Sequence, residues 1–134
     1  MAEKTILVID DDEVNRQVLE ILLRRESIRA IPAQDGKTGL ELARSQQPDL
    51  ILLDVFMPEE DGFEILEQLK QETLTTKIPV IIFTVLEREQ SRKKAMNMGA
   101  CDYITKPFDM KDIVLKIQEI VSREECLKPI SNET

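Results

Sequence analysis

Leu50-Ile51-Leu52-Leu53-Asp54 decides the fold: four strand-forming apolar residues end on a carboxylate. A run this short cannot make a stable helix and reads as a strand buried on both faces. Ile6-Leu7-Val8-Ile9 and Val80-Ile81-Ile82-Phe83 repeat the pattern. Between these runs the apolar residues recur at helical spacing. Val14, Val18, Ile21 and Leu22 share one stripe and predict the first helix, and Ile113, Ile117, Ile120 and Val121 predict the last. Helices are also expected from Lys37 to Ser45, Phe63 to Lys70 and Arg88 to Asn97, the last with the weakest apolar face. Two weaker strands complete the series. One runs from Ser27 to Ala33, before the turn-like Gln34-Asp35-Gly36, and the other from Ala100 to Thr105, after the helix-stopping Gly99. Strand and helix then alternate five times, which implies a parallel sheet with helices on both faces.

The 134 residues suffice for one such domain and would be tight for two. With 18 Lys and Arg against 26 Asp and Glu, the net charge of −8 repels a phosphate backbone. Few aromatic rings are present to stack on bases, so direct nucleic-acid binding is not expected and a protein partner is. No stretch approaches the roughly 20 apolar residues that cross a bilayer, and residues 1–5 lack the apolar core of a signal peptide, so the expected location is the cytoplasm, away from the membrane. The chain has no His. Cys101 and Cys126 lack metal-binding spacing and read as ordinary thiols. Chemistry must come from Asp, Glu, Lys, Ser or Thr. Residues 126–134 lose all periodicity and read as a tail or the start of a linker, leaving residues 1–125 as the domain.

Ligands of an open parallel sheet bind outside the carboxyl ends of its strands. Four of the five strand ends carry polar, reactive groups: Asp10-Asp11-Asp12, Asp54, Thr84 and Lys106. Any one acid there is an ordinary loop residue or helix cap. Four together point to a site. Converging carboxylates repel unless a cation neutralises them, and a hard divalent ion such as Mg²⁺, which takes one or two carboxylates plus phosphate oxygens, is the natural partner. A carboxylate flanked by Mg²⁺, an ammonium from Lys106 and a hydroxyl from Thr84 is arranged to accept a phosphoryl group.

The motifs Ile6-Leu7-Val8-Ile9-Asp10-Asp11, Asp54-Val55-Phe56-Met57-Pro58 with Asp61-Gly62, Phe83-Thr84 and Tyr103-Ile104-Thr105-Lys106-Pro107-Phe108 together resemble the receiver domain of bacterial two-component response regulators. The likeness runs from Lys4 to about Glu124. It implies an α/β, flavodoxin-like, doubly wound (βα)5 fold with strand order 2-1-3-4-5. It further implies that Asp54 is the phosphoacceptor and that Asp11 binds Mg²⁺ directly. Asp10 would assist through water, and the backbone carbonyl of Phe56 would complete the metal's protein ligands. Thr84 and Lys106 would contact the phosphoryl oxygens, aided by a cis Lys106–Pro107 bond. Thr84 and Tyr103 would form a switch that reshapes the face made by helix 4, strand 5 and helix 5. The acidic run is one residue longer than a pair, and the strand end favours Asp10 and Asp11, with Asp12 starting the helix. The expected donor is a sensor histidine kinase or a phosphotransfer protein. The expected receiver is a regulator and not an enzyme, though it assists its own phosphotransfer and dephosphorylation. A monomer or a phosphorylation-dependent dimer fits equally, and the chain reads either as a stand-alone regulator or as part of a longer one.

Val85 departs from the small residue common after the switch threonine. With the apolar Phe56 and Leu86 it suggests an entrance that slows hydrolysis. Two other readings are a degenerate receiver that only binds proteins and a phosphatase of the haloacid-dehalogenase type. The latter requires an acid two residues after the nucleophile, where this chain has Phe56.

Overall fold

The computed structural model describes residues 3–57, 60–86, 88–106 and 109–123. Pro58, Pro107 and Phe108 of the motifs lie outside these residues, and so does the cis bond expected at Lys106–Pro107. Five strands, β1 (Lys4–Ile9), β2 (Ile28–Ala33), β3 (Leu50–Leu53), β4 (Val80–Thr84) and β5 (Asp102–Thr105), form one sheet. All its pairings are parallel and the order is β2-β1-β3-β4-β5. The helices are α1 (Glu13–Arg25), α2 (Gly36–Gln46), α3 (Gly62–Gln71), α4 (Glu89–Asn97) and α5 (Met110–Arg123). The parallel sheet is what the alternating pattern predicts, and its order is the flavodoxin-like one that the resemblance implies.

Strand side chains alternate between faces, and the sheet sorts its core accordingly. Leu7, Ile9, Ile51, Leu53, Val80 and Ile82 pack with Leu40, Leu66 and Leu69 of α2 and α3. Ile6, Val8, Leu50, Leu52, Ile81 and Phe83 pack with Leu19 and Leu23 of α1 and with Ile113 and Ile117 of α5. Burial on both faces explains why these strands read as unbroken apolar runs.

Three local expectations need correction. The buried stripe of α1 is Leu19 and Leu23, whereas Val14 is 65% and Ile21 51% exposed. Strand β2 begins at Ile28, because Ser27 takes a left-handed φ of 63° in the turn out of α1. Cys101 is disulfide-bonded and not a thiol. The other cysteine, Cys126, lies outside the described residues. Gly99 does stop α4 as expected: its φ of 107° is one that side-chain-bearing residues avoid. Among the described residues no helix is long and apolar enough to cross a membrane.

Candidate phosphoacceptor site

Parallel pairing brings the strand ends into line. Asp10 N–H donates to the Ala33 carbonyl (3.0 Å), Asp54 N–H to Ile9 (3.0 Å) and Lys106 N–H to Thr84 (2.7 Å). The chain has therefore just left the ladder at Asp10, Asp54 and Lys106, and each side chain is delivered to the same edge. Asp10, Asp11 and Asp54 each offer a carboxylate oxygen within 4.8 Å of the others. Asp10 and Asp54 are buried, and Asp11 is exposed. Asp12 turns away and caps α1, accepting from the N–H groups of Val14 (2.9 Å) and Asn15 (3.3 Å).

Lys106 joins the two buried acids. Its Nζ lies 2.8 Å from Asp10 Oδ2 and 3.1 Å from Asp54 Oδ2. The other oxygen of Asp54 accepts the Phe56 N–H (2.8 Å), and that of Asp10 accepts the Asp12 N–H (2.9 Å). Burial pushes the Asp54 pKa above its ordinary value, even though the Phe56 N–H and Lys106 pull it down. Burial, followed by the charge of Asp10, likewise raises Asp11. Lys106 is itself disfavoured by burial, but its bonds to Asp10 and the charges of Asp10 and Asp54 prevail and raise its pKa. The partners' directions look opposed, since an ion pair should lower its acid. They agree because Lys106 divides its bonds between Asp10 and Asp54, and for Asp54 burial outweighs what the ammonium supplies. The site thus holds an excess of negative charge around one lysine. Three hard oxygen donors in such a cluster fit a divalent cation.

Thr84 is fully buried, and its Oγ1 accepts the Leu86 N–H (3.3 Å). Tyr103 is buried and donates its hydroxyl to the Leu86 carbonyl (2.6 Å). The two side chains therefore meet at one residue, Leu86, on the two peptide groups that flank its Cα. Burial raises the Tyr103 pKa, so its hydroxyl remains a donor at neutral pH. Phe56 is 57% and Val85 54% exposed, while Leu86 is half-buried.

Several contributors carry no sequence signal of their own. Arg16, one turn into α1, donates to the backbone carbonyl of Asp10. Phe83 reads from sequence only as core, yet its ring lies beneath Lys106 Nζ, 4.6 Å from the centroid. Glu60 accepts the Gly36 N–H with both carboxylate oxygens (2.9 and 3.0 Å), tying the segment after Asp54 to the start of α2.

With this geometry in hand, comparison with known proteins is direct. Residues 6–118 match the response regulator receiver domain family, and the chain belongs to it. It is 37% identical over 128 residues to the alkaline phosphatase synthesis transcriptional regulatory protein PhoP of Bacillus subtilis, covering 96% of this chain and 52% of that protein. It is 43% identical over 110 residues to the response regulator PleD of Caulobacter vibrioides, covering 82% of this chain and 24% of that one. The chain thus spans about half, or less, of the length of these relatives. Among solved structures, a CheY-like receiver domain protein from Methanospirillum hungatei superposes with a TM-score of 0.85 at 27% identity, covering 92% of this chain and 97% of that one.

Proposed function

We propose that this chain is the phosphoacceptor of a two-component relay, with Asp54 receiving a phosphoryl group from a sensor histidine kinase or a phosphotransfer protein. The observation that carries the reading is the meeting of three carboxylates within 4.8 Å around one half-buried lysine at the carboxyl edge of the sheet. An Asp54 carboxylate oxygen bonds to phosphorus as the P–N bond of the donor phosphoimidazole breaks, and the imidazole nitrogen keeps the electron pair. Asp11, Asp54 and the Phe56 carbonyl would hold Mg²⁺, with Asp10 acting through water. When bound, the ion supplies positive charge to the phosphoryl oxygens.

Lys106 stands where it can meet a phosphoryl oxygen while remaining beside Asp10. Thr84 can donate its hydroxyl hydrogen to another, because its present bond uses only its acceptor capacity. Pulling Thr84 toward the phosphoryl group would break its bond to the Leu86 N–H and loosen Leu86, whose carbonyl also holds Tyr103. The readout would be the face of α4, β5 and α5, where Arg92 donates to the Tyr103 carbonyl (2.8 Å) and Lys116 pairs with Asp102 (2.8 Å). A cytoplasmic receiver of residues 1–125, monomeric or dimerising on phosphorylation, completes the reading. The apolar Phe56, Val85 and Leu86 offer no side-chain group to orient a water, so the acyl phosphate should be long-lived.

Incubation with acetyl phosphate and Mg²⁺ tests this. The mass should rise by about 80 Da, and Asp54→Asn or removal of Mg²⁺ should abolish the gain. Absence of any gain in the unmodified chain sinks the proposal. In the same samples the label should decay faster in Leu86→Glu, whose carboxylate can hold a water, and equal decay removes the role given to the apolar entrance.

A further inference from the structure

The last apolar residue of β4, Phe83, is fully buried among the side chains beneath α1 and α5. A core role alone would require only its volume. Its position relative to Lys106 asks for more. The register pairs Phe83 with Ile104 and Thr84 with Thr105, and the Lys106 N–H bonds to the Thr84 carbonyl (2.7 Å). The lysine stem therefore folds back over the end of β4. Its Nζ comes to rest 4.6 Å from the Phe83 ring centroid while reaching Asp10 at 2.8 Å and Asp54 at 3.1 Å.

An ammonium within about 6 Å of an aromatic face is attracted by the ring quadrupole, and the attraction strengthens as water is removed. The Lys106 side chain is 12% exposed, so its charge has little water to turn to. The carboxylates hold it from one direction and the ring from another. In the reaction proposed above, the carboxylate contacts change: Asp54 becomes an acyl phosphate, and the metal draws on the same acids. The ring takes no part in these exchanges, and as the acids loosen their hold it carries a larger share of the attraction on the ammonium. From this geometry we infer that Phe83 is the positioning residue for Lys106, its ring holding the ammonium at the phosphoryl site as the acids exchange partners. An aliphatic side chain of similar bulk would seat the lysine stem but would not attract its charge. The inference rests on the phosphoacceptor reading.

The test keeps the shape of the ring and removes its electrostatics. Phe83 is replaced in the full chain by 4-fluoro-, 3,5-difluoro- and 3,4,5-trifluorophenylalanine, which progressively weaken the quadrupole. Two quantities are read: affinity for beryllium fluoride, a phosphoryl mimic, in Mg²⁺ buffer, and thermal unfolding without ligand. Affinity should fall stepwise, reaching about tenfold with the trifluoro ring, a larger loss than any accompanying fall in the stability of the ligand-free chain. A flat affinity series, or a loss that follows the unfolding temperature, overturns the role of the ring. Failure of the unmodified chain to bind the mimic or to gain phosphate at Asp54 overturns instead the reading on which it rests.

Discussion

The segment after β3 and the segment after β4 both leave the sheet at the site, yet they are built on opposite plans. The first is pinned. Phe56 pairs with Asp61 and Met57 with Glu60 in a two-rung antiparallel ribbon. Gly62 N–H bonds to the Val55 carbonyl (3.3 Å), Asp61 caps α3 through the Phe63 N–H (2.9 Å), and Glu60 reaches across to Gly36. The second is loosely tied. Val85 is exposed, Arg88 supplies no side-chain cap to α4, and α4 buries only Ala95. Its described anchors are polar contacts of single side chains: Thr84 Oγ1 on the Leu86 N–H, the Tyr103 hydroxyl on the Leu86 carbonyl, Arg92 on the Tyr103 carbonyl and Asp102, and Lys94 over the Phe63 ring. In the proposed function the first segment presents the nucleophile and a carbonyl for the metal, and that task needs fixed geometry. The second would report on phosphorylation in that same proposal, a task that needs two arrangements of similar energy.

Breaking the pinned side should give the largest effect. A Cβ at Gly62 would fall 2.2 Å from Val55 Cα and 2.8 Å from the Asp54 carbonyl oxygen, both backbone atoms that cannot swing aside. Gly62→Ala should therefore cost about 3 kcal/mol, seen as a lower urea midpoint, and should weaken Mg²⁺ binding because Asp54 and Phe56 shift together. Unchanged stability would mean that this segment yields as easily as its neighbour.

The buried acids give an intermediate effect whose sign is set by their pKa directions. Burial raises Asp54 and Asp11, so the folded chain binds these protons more tightly than the unfolded chain. Their contribution to stability is complete below the ordinary carboxylate range and is lost as pH rises through the folded-state pKa. At neutral pH the ionised Asp54 therefore costs stability. Asp54→Asn should stabilise the fold there by on the order of 1 kcal/mol, since Lys106 keeps Asp10 at 2.8 Å. The gain should shrink on acidification. Parallel pH profiles for the two proteins, followed by thermal unfolding, would contradict this account.

How much of this was legible in the sequence depends on how local each cause is. The strand ends were readable because four-residue apolar runs bury both faces and leave no doubt about where each run stops. The phase of α1 was not. Val14, Val18, Leu19, Ile21, Leu22 and Leu23 cover most of the helix circumference, so spacing alone could not choose the Leu19 and Leu23 stripe over Val14 and Ile21. The site acids, threonine and lysine were legible as strand-end chemistry. Their supports were not. Glu60 meets Gly36 across 24 positions, and Phe83 meets Lys106 through strand register, so neither contact leaves a short-range mark.

The loose segment offers the smallest and most selective intervention. Arg88 occupies the N-cap of α4, where it leaves the first N–H groups without a side-chain acceptor and sets a positive charge at the positive end of the helix. Arg88→Asp supplies both an acceptor and the favoured sign of charge, and should stabilise the fold by about 1 kcal/mol. That gain corresponds to a rise of about 4 °C in unfolding temperature for a domain of this size. Amide exchange should slow in the first turn of α4 and stay unchanged in the pinned segment around Gly62. Among the described residues Arg88 has no bond to a site group, so phosphorylation of Asp54 by acetyl phosphate should proceed at the parental rate. If capping left exchange in α4 unaltered, that helix would already be as firmly held as α3, and the contrast between the two segments would fail.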